Sequence, residues 1–312
     1  MSNYEQRNTA DAAAAGVDPA EAGFGTRPTP TKYDGEKVII VDDPSPHVRR
    51  VTLNRPDKRN ALNHQLRGEL MHALQAADVD PEVRVTIVRG AGSCFSAGYD
   101  LGGGNVGLDM PHFTAAGEGQ WPRHVTETWM SIWDLSKPVI AQVHGYCLAG
   151  GSELATGCDL VYVATDAQMG YPAVRFGVPD MHFHAWFLGM RAAMEMMLTG
   201  DSISGDEAVR LGWANRAFPA EDLDAEVLAV AERIALTPTD IVALNKRTVH
   251  RQMDAMGMRA GIRQGTELCA LGIKQASFVE FIDKMSADGL TVALQERDEP
   301  FGDYRTVESH EV

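Results

Sequence analysis

The sequence is poor in cysteine, and its few cysteines are scattered. Among 312 residues there are four, at positions 94, 147, 158 and 269, and no two form a C-x-x-C pair. This spacing argues against a disulfide framework and a zinc site, so we predict no bound metal and a reducing, cytoplasmic setting. No apolar run reaches the length of a membrane span, and the N-terminus lacks the basic and then apolar pattern of a signal peptide.

Positive charge is also scarce. The chain has 28 Lys and Arg residues against 43 Asp and Glu residues, a formal net charge of −15 at pH 7. This excess of acid argues against a nucleic-acid or anionic-membrane partner, although a small anionic ligand would need only a local basic patch. The chain is 44% hydrophobic and long enough to bury a full core, as in ordinary globular proteins.

Several catalytic motifs are absent as well. Gly90-Ala91-Gly92 lacks the third glycine of a dinucleotide-binding fingerprint, and neither a Walker phosphate loop nor H-E-x-x-H occurs. The stretch around Ser152 nearly matches a hydrolase nucleophile elbow, but Leu154 stands where the closing glycine belongs. Ser152 is therefore a weak nucleophile candidate.

The stretch over residues 137–159 carries the clearest signal. Its apolar run from Val139 to Val143 predicts a buried strand, and the glycines that follow, including Gly150 and Gly151, predict a tight turn. Glu153 then falls in the first turn of a predicted helix, where backbone N–H groups have no intrahelical partner. A carboxylate beside free N–H donors suits an enzyme that polarises a carbonyl and moves a proton. The alternative is a structural turn whose glutamate only favours the helix dipole.

The pattern of strands and helices predicts three regions. Residues 1–35 form a flexible extension, residues 36–200 a core of strand–strand–helix units, and residues 201–312 a helical C-terminal region. Apolar runs predict strands over residues 38–41, 48–53, 83–88, 139–143, 160–164 and 167–170. Helical periodicity predicts helices over residues 60–77, 184–198, 204–211, 220–235, 238–256, 259–273 and 289–297, and one that carries Trp129 and Trp133. Residues 102–123 are predicted to form a loop.

Two glycine-rich stretches, each after a predicted strand, resemble a known pair of motifs. They are Phe95-Ser96-Ala97-Gly98-Tyr99-Asp100-Leu101 and residues 144–159, which include Gly150-Gly151-Ser152-Glu153. Asn54-Arg55-Pro56 with Asn60-Ala61-Leu62, and Leu198-Thr199-Gly200, stand at matching positions. In order and spacing, these motifs resemble the crotonase superfamily, also called the enoyl-CoA hydratase/isomerase family, over about residues 38–301.

The resemblance implies an α/β fold, a crotonase-type spiral of ββα units followed by a helical C-terminal trimerisation region. It implies a homotrimer or hexamer, an acyl-CoA thioester substrate and no separate cofactor, because coenzyme A arrives as part of the substrate. Carried over by position, the backbone N–H groups of Tyr99 and Gly150 form the oxyanion hole, and Glu153 is the acid/base. The side chain of Tyr99 is expected to matter little.

The resemblance also implies where coenzyme A binds. The residues at the matching positions are Lys58, Arg59, Ala61, Asp100 and Leu101. Arg55, Lys58 and Arg59 would supply the local positive charge that this acidic chain otherwise lacks, although a solvated basic turn is the alternative. Phe301 is expected in the C-terminal wall of the pocket.

One carboxylate of the family pattern is missing. Hydratases of the family use two glutamates around one water. The first matches Glu153, and the second lies twenty positions later, at 153 + 20 = 173, where this chain has Ala173. A single carboxylate suffices for a proton shift between the α and γ carbons, so isomerisation fits this site better than hydration. The usual activity of the family, in contrast, favours hydration.

The loop after Ala173 offers substitutes for the missing group. Asp180 is the first candidate and His182 the second, although Asp180 could instead cap the following helix. If either residue is catalytic, the chain could be a crotonase-fold hydrolase or lyase that cleaves a C–C or thioester bond. A further alternative is a non-catalytic homologue that binds CoA esters.

Overall fold

The computed structural model of this protein describes residues 35–102, 119–179 and 183–302. Most of the predicted extension, most of the predicted loop, and both Asp180 and His182 lie outside these ranges. The strands are β1 (Ile39–Ser45), β2 (Val48–Leu53), β3 (Val85–Gly90), β4 (Val139–Val143), β5 (Tyr146–Leu148), β6 (Leu160–Ala164), β7 (Gln168–Gly170), β8 (Ser202–Ser204) and β9 (Arg216–Phe218). The helices are α1 (His64–Val79), α2 (Gln120–Met130), α3 (Gly150–Gly157), α4 (His184–Thr199), α5 (Gly205–Leu211), α6 (Leu223–Ala235), α7 (Thr239–Ala255), α8 (Met258–Gly272), α9 (Ala276–Asp288) and α10 (Leu290–Asp298).

Six strands form the main sheet, in the order β1-β2-β3-β4-β6-β9. β1 and β2 form an antiparallel hairpin, and every later pair of neighbours is parallel. All five residues of β4 are buried, including the polar Gln142, as expected for a mostly apolar strand in a parallel sheet that is covered on both faces. Because β3 and β4 are parallel neighbours, the segments that follow them leave the sheet at the same edge.

A second sheet of three short strands forms beyond that edge. Its order is β5-β7-β8, with β5 and β7 parallel and β7 and β8 antiparallel. β5 and β8 are three residues long and were not predicted, because so short a run carries almost no periodicity. The second sheet fixes the chain on both sides of α3.

The first helix begins later than predicted. Helical spacing placed its start at residue 60, but Arg59 and Asn60 have φ values of 50° and 52°, in the left-handed region. The helix starts at His64, where the Asn63 side chain accepts a hydrogen bond of 2.8 Å from the Leu66 N–H and so caps the first turn. The loop over residues 54–62 is therefore free to pack against the end of β3.

The C-terminal helices are only partly covered within one chain. No residue of α7 is fully buried, and its apolar residues Leu244 and Val249 are more than half exposed. α9, which was not predicted, packs against α10. Across the described ranges, no helix combines the length and apolarity that a membrane span requires.

Candidate active site

Two turn segments meet at the edge of the main sheet. The first turn segment (residues 91–101) follows β3, and the second turn segment (residues 144–153) follows β4. They are joined through the backbone. The Phe95 N–H donates to the His144 carbonyl at 2.8 Å, the Ser96 N–H donates to the Tyr146 carbonyl at 3.0 Å, and the Leu148 N–H donates to the Ser96 carbonyl at 3.0 Å.

Glycine is required where the two segments touch. At Gly145, with φ 55°, an added Cβ would overlap the Ser93 carbonyl oxygen. At Gly151, an added Cβ would lie 2.5 Å from the Ser96 carbonyl oxygen. Both obstacles are backbone atoms that cannot rotate away, so these glycines serve close approach of two backbones.

Each turn segment presents a backbone N–H group that has no acceptor among the described residues. Within the described ranges, the N–H groups of Tyr99 and Gly150 donate to no backbone or side-chain oxygen. The two lie close together, since a Cβ added at Gly98 would stand 3.4 Å from the Gly150 nitrogen. Two such donors in one place form an arrangement suited to binding a polarised oxygen.

Glu153 lies beside these donors in the first turn of α3 and is fully buried. The Tyr99 hydroxyl donates a short hydrogen bond to Oε2 of Glu153. The Trp129 indole N–H donates in turn to the Tyr99 hydroxyl at 2.9 Å. The Tyr99 ring lies so close to Gly150 that a Cβ added there would be 2.6 Å from it. Sequence reasoning missed this role of the Tyr99 side chain, since only the backbone position of Tyr99 carried a signal.

The Tyr99 phenol stays protonated well above the usual pH range of a tyrosine. Burial, followed by the charge of Glu153 and the hydrogen bond to it, raises the pKa of Tyr99 well above its usual range. Tyr99 is therefore a neutral hydrogen-bond donor at physiological pH. The ring also meets Trp121 edge to face, with 4.9 Å between ring centroids.

Ser152 and His184 fix the second turn segment through hydrogen bonds. The Ser152 hydroxyl donates to the Ala149 carbonyl at 2.7 Å, and the His184 Nε2 lies 3.0 Å from the same hydroxyl oxygen. Because the hydroxyl proton points to Ala149, Nε2 acts as the donor to Ser152. The Ala149 carbonyl belongs to the same peptide plane as the Gly150 N–H. Ser152 therefore fixes that peptide rather than acting as an exposed nucleophile.

Ala173, the position where a second carboxylate was expected, is buried. Ala173 is 5% exposed and lies in a 3₁₀-helix, Pro172–Phe176, that follows β7. β7 adjoins the second turn segment, since the Ala149 N–H donates to the carbonyl of Gly170 at 2.9 Å. The position at which the resemblance led us to expect a second carboxylate thus lies in this 3₁₀-helix and carries only a methyl group.

The positions expected to bind coenzyme A lie on the loop over residues 54–62 and at the end of the first turn segment, and the two are joined by the hydrogen bond from the Asp100 N–H to the Leu62 carbonyl. The Nη1 group of Arg55 donates to the Ala61 carbonyl at 2.5 Å and to the Asp100 carboxylate at 2.9 Å. The charges of Arg55 and Asp100 therefore neutralise each other. Lys58 and Arg59 are exposed on the same loop, and the Arg59 guanidinium lies 5.9 Å from the centre of the Tyr146 ring. Positive charge available to a ligand therefore comes from Lys58 and Arg59 rather than from Arg55.

Leu101 and Phe301 were also expected to contribute to the coenzyme A pocket. Leu101 is partly buried and packs against the hydrophobic core. The Phe301 ring packs on the Arg175 guanidinium, 4.0 Å from the ring centre, and is 47% exposed. In the part of the chain that the structure covers, no three His, Cys, Asp or Glu residues are grouped as metal ligands would be.

Comparison with known proteins places the chain in a family. Residues 45–288 match the family model described as enoyl-CoA hydratase/isomerase. The mitochondrial enoyl-CoA hydratase of Pongo abelii is 30% identical over 257 residues, which cover 81% of this chain and 83% of the relative.

Solved structures confirm the predicted fold. An enoyl-CoA hydratase/isomerase from Xanthobacter autotrophicus Py2 is 34% identical, with a TM-score of 0.76, over 85% of this chain and 98% of that one. An enoyl-CoA hydratase from Mycobacterium smegmatis is 31% identical, with a TM-score of 0.79, over 88% of this chain and 98% of that one. The sheet, the two turn segments and the C-terminal helices thus follow the crotonase fold, and the chain belongs to the enoyl-CoA hydratase/isomerase family of the crotonase superfamily.

Proposed function

We propose that this protein acts on acyl-CoA thioesters, with the N–H groups of Tyr99 and Gly150 as the oxyanion hole and Glu153 as the acid/base. The observation that carries the proposal is the buried Glu153 carboxylate beside two backbone donors that have no acceptor in the described chain. Donors placed where negative charge develops stabilise an enolate by several kcal/mol, roughly 3–4 for a single donor in measured cases. The names of the relatives support the same substrate class.

Within this class we favour a proton shift over hydration. Glu153 would remove a proton from the α carbon, which lies between the thioester carbonyl and the double bond. The electron pair would move toward the thioester oxygen between Tyr99 and Gly150. Glu153 would then return the proton to the carbon at the other end of the allylic system, so no water is consumed. Hydration would need a second group to hold a water, and Ala173 offers only a methyl.

The exposed charges of Lys58 and Arg59 are the proposed contacts for the phosphates of coenzyme A. Ala61, Asp100 and Leu101 would line the same part of the site, with Asp100 held by Arg55. Alanine at either Lys58 or Arg59 should therefore raise KM without changing kcat, and the loss should shrink as salt is added.

We also propose that the protein assembles as a homotrimer or hexamer. The support is the exposed apolar face of α7, which no part of the described chain covers. Sedimentation of the purified protein at micromolar concentration tests this, and a monomer would contradict it.

The central test replaces Glu153 with glutamine, which keeps the shape of the side chain and removes its base. Turnover of a 3-enoyl-CoA should be abolished, while binding of the CoA ester should stay within a few-fold. Turnover that survives in Glu153→Gln would contradict the mechanism.

The same assay separates the reactions. Wild-type protein should convert a 3-enoyl-CoA to its 2-enoyl isomer faster than it hydrates crotonyl-CoA, and the reverse order would overturn the preference for a proton shift. Cleavage of a β-diketone or of the thioester would instead support the hydrolase or lyase alternative, for which Asp180 and His182 are the candidates.

A further inference from the structure

The side chain of Tyr99 occupies the space between the two turn segments and ends on the carboxylate of Glu153. Its ring lies against Gly150, and its hydroxyl lies between the Trp129 indole and Oε2 of Glu153. A backbone N–H donor needs no such side chain, because any residue supplies the amide. The contact with Glu153 therefore calls for its own explanation.

The direction of the proton in this contact is determined by Trp129. An indole N–H is a donor only, so it takes a lone pair of the Tyr99 oxygen. The single phenol proton then points to Glu153. Trp129 is fully buried, with its Cβ packed against Gly157 of α3, so the donor is held in place before any substrate binds.

A fixed neutral donor has a different effect on Glu153 from a second carboxylate. A neighbouring carboxylate would repel the charge of Glu153 and favour its protonated form, whereas a phenol that donates a hydrogen bond stabilises the ionised form. Burial of Glu153 acts in the opposite direction and favours protonation. The phenol thus offsets part of the cost that burial places on the ionised form of Glu153.

Other charged groups surround this pair. The Arg67 guanidinium of α1 lies 5.8 Å from the centre of the Tyr99 ring, and its Nη1 is 2.8 Å from Nε2 of His124 on α2. His184 of α4 approaches from behind through Ser152. Arg67 favours ionised Glu153 as well, so removing the phenol should weaken this stabilisation without abolishing it.

We propose that the Tyr99 phenol is a positioning residue that keeps Glu153 ionised and oriented. This inference rests on the acid/base role proposed for Glu153. It assigns Tyr99 two separate functions, one through its amide and one through its hydroxyl.

Tyr99→Phe tests the hydroxyl alone, because the amide and the ring are kept. The acidic limb of the kcat/KM profile should move up by about one pH unit, since a hydrogen bond to a charged group has roughly that effect. At neutral pH kcat should fall about tenfold, and KM should stay within about threefold. Tyr162→Phe is the matched control, because Tyr162 is a buried tyrosine of β6 that packs on Phe218.

Three outcomes overturn the proposal. The first is a wild-type pH profile in Tyr99→Phe. The second is that Tyr99→Phe loses as much thermal stability as Tyr162→Phe does, while the acidic limb of its kcat/KM profile does not shift. If Tyr99→Phe does not fold, a fluorotyrosine placed at position 99 tests the same point with little steric change. Its more acidic phenol should move the acidic limb down, and an upward or absent shift is the third contrary outcome.

Failure of this inference is distinguishable from failure of the proposed function. If Glu153→Gln retains turnover, the acid/base assignment is wrong. If Glu153→Gln is inactive while Tyr99→Phe keeps the wild-type profile, the acid/base assignment stands and only the role of the phenol is wrong.

Discussion

The first and second turn segments present the same kind of group by different means. In the first, Gly98 takes a φ of 109°, which glycine adopts at little cost, and Tyr99 follows it. In the second, the residue before Gly150 is Ala149, and it takes φ 47° and ψ −120° although it has a Cβ. The first segment is relaxed at this point, and the second is strained.

The two segments are also held differently. Tyr99 lies between two backbone hydrogen bonds to the same residue, because the Leu62 N–H donates to the Gly98 carbonyl at 2.8 Å and the Asp100 N–H donates to the Leu62 carbonyl at 3.3 Å. Ala149 is held by its helix and by the Ser152 hydroxyl. Each segment also uses a buried serine, but in opposite ways. The Ser96 hydroxyl oxygen accepts a hydrogen bond from the Gly98 N–H at 3.2 Å, whereas the Ser152 hydroxyl donates to the carbonyl of the strained Ala149 at 2.7 Å.

The largest expected effect comes from separating the two segments. Gly145→Ala would push a methyl group into the Ser93 carbonyl oxygen and also place alanine at a φ of 55°. We expect a loss of about 3 kcal/mol or more in the free energy of unfolding. Gly257→Ala is the control, because Gly257 also has a positive φ, of 98°, but its Cβ would meet nothing within 4 Å. Urea unfolding of both variants measures the difference, and equal losses would show that the contact is unimportant.

Alkaline pH should reveal buried acids in both segments. Burial raises the pKa of Tyr99 in the first segment and of Cys147 in the second, well above their usual values of 10.0 and 9.0. An unfolded chain releases these protons once the pH passes the usual values, whereas the folded chain keeps them. Stability is therefore complete below those values and falls above them, by about 1.4 kcal/mol per pH unit for each group.

Variants assign this loss to one segment or the other. Tyr99→Phe and Cys147→Ala should each make the decline of unfolding free energy above pH 10 shallower, as measured in urea at several pH values. If both variants decline as steeply as the wild type, the alkaline loss arises elsewhere in the chain.

Long buried elements were predictable, and the details of the turns were not. The bounds of β4 and β6 agree with the sequence prediction, because a short, mostly apolar run rich in valine favours a buried strand. The position of Glu153 also followed from the glycine pattern before it.

Side-chain contacts across the segments left no such signal. The hydrogen bond from Tyr99 to Glu153 joins residues 54 positions apart, and that from Ser152 to His184 spans 32. Neither follows from periodicity, because each depends on how separate elements pack. The start of α1 was placed too early for a local reason, since Arg59 and Asn60 continue the helical spacing but adopt left-handed φ values.

Ser152→Ala should loosen the strained segment alone. The variant removes the hydroxyl that fixes the Ala149 carbonyl, so the Gly150 N–H would be less well directed. We expect kcat to fall by up to about tenfold with little change in KM, since one hydrogen bond contributes about 1 kcal/mol. Ser286→Ala is the control, because Ser286 makes the same kind of bond to a helix carbonyl on exposed α9. A fall of kcat in both variants, or in neither, would contradict the role of Ser152.

The smallest expected effect is a gain in stability from Ala149→Gly. The strain at φ 47° costs about 1–3 kcal/mol, and glycine relieves it while adding about 0.5–1 kcal/mol of backbone entropy to the unfolded chain. The net result should be a rise of about 1 kcal/mol in unfolding free energy, or about 2 °C in Tm.

Gly98→Ala is the opposite exchange in the relaxed segment, and there the added Cβ would lie 3.0 Å from the Leu148 carbonyl oxygen. It should lower Tm by thermal melting while Ala149→Gly raises it. Ala149→Gly should also reduce kcat slightly, because a peptide that glycine leaves freer to rotate is directed less firmly at the substrate oxygen. A loss of stability in Ala149→Gly would mean that the alanine methyl contributes more through packing than its backbone costs in strain.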